Sequence, residues 1–231
     1  GFQRLAGDIH DENHAGARKI SELSADALRQ SSVAAISRTL ADVRLPALFC
    51  DHMVVQRDRH PYSGSWQLPG GFVRIDETVE DAARRALGDK TGISDVFVEQ
   101  LYTFGEPGRD PRTRVISIAH YALVEPGRLA DRTPGSVLAR VDVPWAGETG
   151  GLVAIADGGR NLPIAFDHER IIGTAVKRLR GKLNYSPVGY KLLPEAFTLL
   201  DLQRIHETIL SVSLNKDSFR RRMLASGELE P

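Results

Sequence analysis

The chain has 231 residues, with 30 Lys+Arg against 30 Asp+Glu, one Cys and 42% hydrophobic residues. That length suits one large or two small domains, and the composition excludes a collagen, a wholly disordered chain and a disulfide scaffold. The single cysteine, Cys50, cannot form an internal bridge, so a reducing cytoplasmic setting is the natural reading.

Residues 1–31 are polar and poor in aromatics. The start, Gly1-Phe2-Gln3-Arg4, lacks both Met and a signal peptide, so it reads as trimmed or as carrying added residues. Ile20, Leu23, Ala27 and Leu28 are spaced for one weak amphipathic helix, and the residues before them read as disordered. From Ser32 the pattern changes. Residues 33–39 read as a strand, Ala41-Asp42 as a turn and 45–57 as a long second strand. The apolar run 45–50 is too short to span a bilayer, so no membrane partner is expected. Residues 58–71, with His60-Pro61, Ser63-Gly64 and Pro69-Gly70-Gly71, read as a loop. Thr78-Val79-Glu80-Asp81 fits a capping box. Val79, Ala82, Ala83, Ala86 and Leu87 then repeat as the buried stripe of a helix, which Gly92 stops.

Residues 96–103 and 114–124 read as further strands, and 126–159 as a turn-rich stretch with short strands. Residues 166–180 read as a helix with Ile171, Ile172, Ala175, Val176 and Leu179 inward, followed by an irregular 183–191. Thr198-Leu199-Leu200-Asp201 is a second capping box, opening a helix to about Leu210. A turn over 211–215 leads to a short helix over 216–225. A boundary near 161–165 separates a mixed region from a helical one. From residue 166 onward, 11 basic residues face 8 acidic ones, a mild excess that permits nucleic-acid binding without proving it.

The chemistry is concentrated after the glycines. Pro69-Gly70-Gly71 before an acidic helix start lets backbone amides approach a phosphate, although a tight turn needs the same residues. The wider spacing is more specific: Gly71, five residues, Glu77, seven residues, Arg85, apolar Leu87, then Gly92 and Ile93. This resembles the Nudix box, and Trp66-Gln67-Leu68-Pro69-Gly70-Gly71-Phe72-Val73 resembles the lead-in of ADP-ribose-type members. Three glutamates of that box fall here on Ala86, Asp89 and Lys90, so a charge of −3 becomes zero. Magnesium is a hard cation that wants oxygen ligands, and it both clamps phosphates and activates water. Tight metal binding and efficient hydrolysis are therefore expected to be lost, with no catalytic residue and no metal ligand assigned. Glu77 and Arg85 are expected to persist as a structural pair.

Such a site can still hold its ligand. Arg57 ends a strand facing the loop; Trp66, Phe72 and Phe104 can stack on a base or line its pocket, or be core. Arg109 can pair with a phosphate bidentately, or be a solvated loop charge. Leu101-Tyr102-Thr103-Phe104-Gly105 with Arg109-Asp110-Pro111-Arg112 is similar to a stretch of ADP-ribose-related Nudix proteins.

In the last helix, stepping 100° per residue from Phe219 puts Met223 about 40° away, while Arg220, Arg221 and Arg222 fan around the rest. Asn215 can cap it, and Lys216 adds charge at its first turn. An apolar seam with an Arg-rich outer arc suits a major groove, or is simply a solvated face. Lys177, Arg178, Arg180 and Lys182 can grip phosphates, or be surface.

Taken together, the Nudix-like segment, Phe166-Asp167-His168-Glu169-Arg170, Phe197-Thr198-Leu199-Leu200-Asp201-Leu202-Gln203 and Leu214-Asn215-Lys216-Asp217-Ser218-Phe219-Arg220-Arg221-Arg222-Met223-Leu224 resemble the Nudix-related transcriptional regulators of NAD metabolism (NrtR). The resemblance implies an α+β chain: a Nudix-type α/β/α sandwich over 32–160 and a winged helix-turn-helix over 166–231, after an extension over 1–31. It implies a cytoplasmic homodimeric repressor of NAD synthesis or salvage genes that reads palindromic double-stranded operator DNA. No cofactor is implied; ADP-ribose or a related nucleotide is the effector. Its phosphates are expected on Gly70, Gly71, Arg57 and Arg109, and its base near Trp66, Phe72 and Phe104. Lys216, Ser218, Arg220, Arg221, Arg222 and Lys182 are expected to face DNA. Family chains continue into a β-hairpin wing, so a chain ending at Pro231 is expected to carry it incompletely. The rival readings are an active ADP-ribose or nucleotide-sugar pyrophosphatase using Glu77 and Asp89, and a module whose last helices bind protein.

Overall fold

A computed structural model describes residues 30–37, 50–124, 129, 133–183, 193, 197–227 and 229, with backbone alone at 30–37, 50 and 51. The expected helix near residues 20–28, the turn at 41–42 and most of 183–191 lie outside the described residues.

One mixed sheet forms the centre. Its strands are β1 (Gln30–Ser37), β2 (Cys50–Gln56), β3 (Trp66–Gln67), β4 (Gly70–Gly71), β5 (Val98–Phe104), β6 (Ser117–Val124), β7 (Ser136–Asp142), β8 (Ala154–Asp157) and β9 (Arg160–Asn161). The order along the sheet is β5-β6-β1-β2-β7-β8-β9. β1 runs parallel to β6 and, among the described residues, meets β2 antiparallel at Ile36↔His52 and Ser37↔Asp51. Beyond that point the two strands part, and the split is filled by β4 on β1 (Ser31↔Gly71, Ser32↔Gly70) and by β3 on β2 (Val55↔Gln67, Gln56↔Trp66). The segment expected to be pure loop thus contributes two short strands, which set the glycine pair into the mouth of the split.

Alternation along the strands sends neighbours to opposite faces. Met53, Ala122 and Val124 point to one face, where they pack on α1 (Val79–Thr91) through Ala83 and Leu87. Val54, Ala119, Tyr121, Ala139 and Val141 point to the other, under α2 (His168–Lys182) through Ile171, Ile172, Ala175, Val176 and Leu179. This is an α/β/α sandwich. The second cluster continues without a break into α3 (Leu199–Leu210) and α4 (Lys216–Ala225) through Leu202, Ile205, Ile209, Phe219 and Met223. α2 therefore faces both the sheet and the C-terminal helices.

The helix ends follow the local chemistry. Gly92 closes α1 at φ 75°, a left-handed conformation that suits glycine. Thr198 and Asp201 form a complete reciprocal box at α3. The expected box at α1 forms by half: Thr78 Oγ1 accepts the Asp81 amide, but the Asp81 carboxylate takes the Thr78 hydroxyl and Arg84.

Candidate functional site

In the glycine–glutamate–arginine segment, Arg85 clamps Glu77 bidentately, Nε to Oε2 at 2.8 Å and Nη2 to Oε1 at 2.5 Å. Arg85 Nη2 also donates to the Phe72 carbonyl at 3.0 Å, and the Arg74 amide donates to Glu77 Oε1 at 2.7 Å. The hydrogen bonds from Arg85, with that amide, hold the Glu77 carboxyl down at about 2. Both carboxylate oxygens are thus taken up, by Arg85 of α1 and by the Arg74 amide of the loop. Ala86 is buried, and a Cβ on Gly71 would lie 3.6 Å from its methyl, an ordinary contact. Asp89 is exposed and stands 3.7 Å from Arg85 Nη1. Magnesium requires several convergent oxygens. Among the described residues no group of three or more His, Cys, Asp or Glu side chains is placed to hold a metal ion.

A second cluster lies beside the glycine strand, where β3 meets residues 163–165. The Trp66 amide donates to the Pro163 carbonyl, and the Ala165 amide donates to the Trp66 carbonyl. This pairing delivers Phe166, at φ 58°, to the start of α2. The Phe166 ring has the Arg57 guanidinium 4.9 Å and the Arg112 guanidinium 5.8 Å from its centroid. Tyr62 meets it edge-on at 4.9 Å. Arg57 is held by Gln67 Oε1 at 2.9 Å and by the carbonyls of Pro61 and His60. Arg112 is held by Asp110, both Nε and Nη2 donating to its carboxylate. Burial, and next the charge of Arg112, push the Arg57 pKa down. Two guanidinium groups gathered at one aromatic ring form a site that favours an anion. Behind it, His168 is buried and accepts the Leu68 amide on Nδ1 at 3.0 Å. Its burial lowers the imidazole to about 4, so it stays neutral there.

The structure brings Arg57, Trp66, Gly70 and Gly71 to this region through β2, β3 and β4. Trp66 is half-buried against the larger core, and Phe72 is exposed on the loop. Phe104 realises the core alternative: it is buried beneath the sheet, edge-on to Tyr102 at 5.3 Å. Arg109 is neither a solvated charge nor an open phosphate ligand, because it pairs with Asp167 and donates to Ser117 Oγ. Sequence reasoning missed Phe166, Tyr62 and Arg112 as site residues. Phe166 reads as a helix start, and its left-handed backbone has no sequence signature; Arg112 stands three residues after Arg109 in the same motif.

At the other end, α3 and α4 pack at an angle fixed by the turn between them. Ser211 ends α3 at φ 56°. Glu207 Oε1 accepts the Leu214 amide at 2.8 Å, and Gln203 Nε2 donates to the Leu214 carbonyl at 3.0 Å. Asn215 Oδ1 caps α4 by accepting the Ser218 amide at 3.0 Å. Phe219 and Met223 are buried, with His206 edge-on to Phe219 at 5.1 Å. Lys216, Ser218, Arg220, Arg221 and Arg222 are all exposed, and Arg222 folds back to 5.4 Å from the Phe219 centroid. Lys182 lies elsewhere, pairing with Glu99 and lying 5.6 Å from the Tyr121 ring centroid. Arg180, read as a phosphate grip or as surface, is 1% exposed, because the docked α3–α4 turn covers it.

Family models match two parts of the chain: a NUDIX domain over residues 42–146 and an NrtR DNA-binding winged helix domain over residues 189–231. The chain is 34% identical over 180 residues to the ADPR responsive transcriptional repressor NtrR of Acinetobacter baylyi, covering 77% of this chain and 67% of the relative. It is also 34% identical over 121 residues to an ADP-ribose pyrophosphatase of Methanocaldococcus jannaschii, covering 52% of this chain and 62% of the relative. Among solved structures, Shewanella oneidensis NrtR complexed with a 27mer DNA superposes with a TM-score of 0.66 at 28% identity, over 87% of this chain and 84% of that one.

Proposed function

The chain belongs to the NrtR family of Nudix-related transcriptional regulators, and from that premise we propose that it is a DNA-binding repressor whose Nudix domain senses ADP-ribose. The observation that carries the reading is α4: a capped helix with Phe219 and Met223 turned inward and Lys216, Ser218, Arg220, Arg221 and Arg222 turned to solvent. Placed in a major groove, the arginines contact guanine edges and phosphates, while the Asn215 end of the helix approaches the backbone. The chain acts in the cytoplasm as a homodimer on a palindromic operator, because two half-sites suit two copies of α4. Its targets are genes of NAD synthesis or salvage. Among the described residues no helix is long and apolar enough to cross a membrane.

In the effector domain, Arg57 and Arg112 face the diphosphate and Phe166, with Tyr62 and Trp66, lines the pocket for the ring. Gly70 and Gly71 lie alongside. The domain binds without turning over: Ala86, Asp89 and Lys90 replace the acids a metal needs, and Glu77 is tied up by Arg85. No step is assigned to a metal ion.

A second reading, an ADP-ribose pyrophosphatase, is favoured by the M. jannaschii relative. Measuring ADP-ribose binding and turnover side by side, with magnesium or manganese present, separates the two. The receptor reading expects saturable binding with no release of AMP. Rapid turnover that vanishes in Glu77→Gln, with no DNA binding by the intact chain, would establish the enzyme instead.

A further inference from the structure

Arg180 stands near the far end of α2 from the Phe166 cluster, in a place that joins three segments. Its Nε donates to the Ile209 carbonyl at 2.8 Å, and its Nη2 donates to Ser211 Oγ at 3.1 Å. Its Nη1 donates to the carbonyls of Trp145 at 3.0 Å and Gly147 at 3.1 Å, and its guanidinium carbon lies 4.7 Å from the Trp145 ring centroid. Ile209 is in the last turn of α3, and Ser211 is the left-handed residue that ends it. One side chain of α2 therefore holds the turn that sets the direction of α4.

The rest of α2 interlocks with the loop carrying Trp145. A Cβ on Gly173 would lie 2.1 Å from the Gly151 carbonyl oxygen, and one on Gly181 would lie 3.0 Å from Glu148 Oε2. Between them Lys177 Nζ donates to the Thr149 carbonyl at 3.4 Å. Gly173, Lys177, Arg180 and Gly181 fall on one helical stripe, so helix and loop move as one body. At the near end of α2, Asp167 is bound by Arg109, the Phe166 ring is approached by Arg57 and Arg112, and His168 takes the Leu68 amide. From residue 168 to 180 a helix rises about 18 Å. A helix of that length is stiff, so a tilt imposed at its start appears at its end.

We infer that α2 is the element that couples the effector pocket to the DNA-binding helices, and that Arg180 is the positioning residue that hands its movement to the α3–α4 turn. This rests on the effector reading above. Binding at the Phe166 cluster redistributes Arg57, Arg109 and Arg112, displaces Phe166-Asp167 and swings α2. The Arg180 hydrogen bonds to Ile209 and Ser211 then turn α4 relative to its DNA.

The test measures operator affinity of the full chain with and without saturating ADP-ribose, and ADP-ribose affinity separately. It compares wild type with Arg180→Met, Arg180→Lys and Ser211→Gly. The last removes one hydroxyl at a left-handed position that glycine adopts freely, so it spares the fold if the Arg180 variants unfold. The expected result is a wild-type ratio of operator dissociation constants of tenfold or more. In Ser211→Gly it falls at least threefold and in Arg180→Met towards one, while ADP-ribose affinity stays within threefold; Arg180→Lys keeps part of the ratio. A wild-type ratio of one overturns the effector reading and this inference together. A wild-type ratio above one that Ser211→Gly retains in full overturns this inference alone.

Discussion

Arg109 and Asp167, 58 residues apart in the chain, form a bidentate ion pair, Nε to Oδ2 at 2.9 Å and Nη2 to Oδ1 at 2.5 Å. It ties the loop after β5 to the residue that precedes α2, and the arginine side chain is only 4% exposed. Breaking such a pair from one side leaves a buried charge unmatched. Asp167→Ala is therefore expected to cost about 3 kcal/mol in chemical denaturation. Arg109→Met together with Asp167→Leu is expected to recover most of that loss.

Stability should also fall with acid in a defined window. Burial lowers both His168 and His206 from the ordinary 6.5 to about 4. The unfolded chain takes up those protons first, so the stability present above about 6.5 is lost as the pH falls towards 4. Each histidine contributes on the order of 2–3 kcal/mol to that slope. The lowered Asp110 and Glu77 act further down, below the ordinary carboxylate range. His206→Leu, which keeps the apolar contact with Phe219, is expected to flatten the decline between pH 6.5 and 4 in urea titrations.

The elements were legible wherever a period or a cap marked them. Thr78, Gly92 and Thr198 delimit helices as expected, and Lys216–Ala225 falls where the residues placed it. β3 and β4 were not legible, because two residues carry no alternation and their pairing comes from the split between β1 and β2. The site was half legible. Arg57 stood out by its place at the end of a strand. Phe166 did not, since the pairing of residues 163–165 with Trp66 is what brings it towards Arg57 and Arg112. Arg180 follows Leu179 at the edge of an apolar stripe, a position that reads as surface until the α3–α4 turn covers it.

The Phe166 ring can be tested directly. Phe166→Leu keeps apolar bulk and removes the ring that both Arg57 and Arg112 approach. Losing a partly desolvated cation–π and stacking surface is worth about 1 kcal/mol or more. Calorimetry is expected to show ADP-ribose binding at least fivefold weaker, with Phe72→Leu on the exposed loop as the milder comparison.

On the DNA side the two classes of contact give different signatures. Arg221→Ala is expected to weaken operator binding by ~1–3 kcal/mol and relax specificity at one base pair. Lys216→Ala is expected to weaken binding to all sequences and lower the salt slope by about 1. Fluorescence anisotropy over a salt series reads both.

Gly173→Ala probes the interlock of α2 with its loop. Its new methyl would meet a backbone oxygen, which must move as a whole. Overpacking of this kind costs about 1–3 kcal/mol, visible as a lowered Tm against the harmless gain in helix propensity expected at an exposed glycine.

In the proposed function, effector sensing by the Nudix domain and operator binding by α4 form one device. The measurement that addresses it most directly is a titration of the full chain onto a duplex from its own upstream promoter, with and without ADP-ribose. Saturable binding that ADP-ribose weakens a hundredfold, a differential of about 2.7 kcal/mol, is the predicted result. An affinity for that duplex no greater than for random DNA, with ADP-ribose cleaved as it is added, would contradict it.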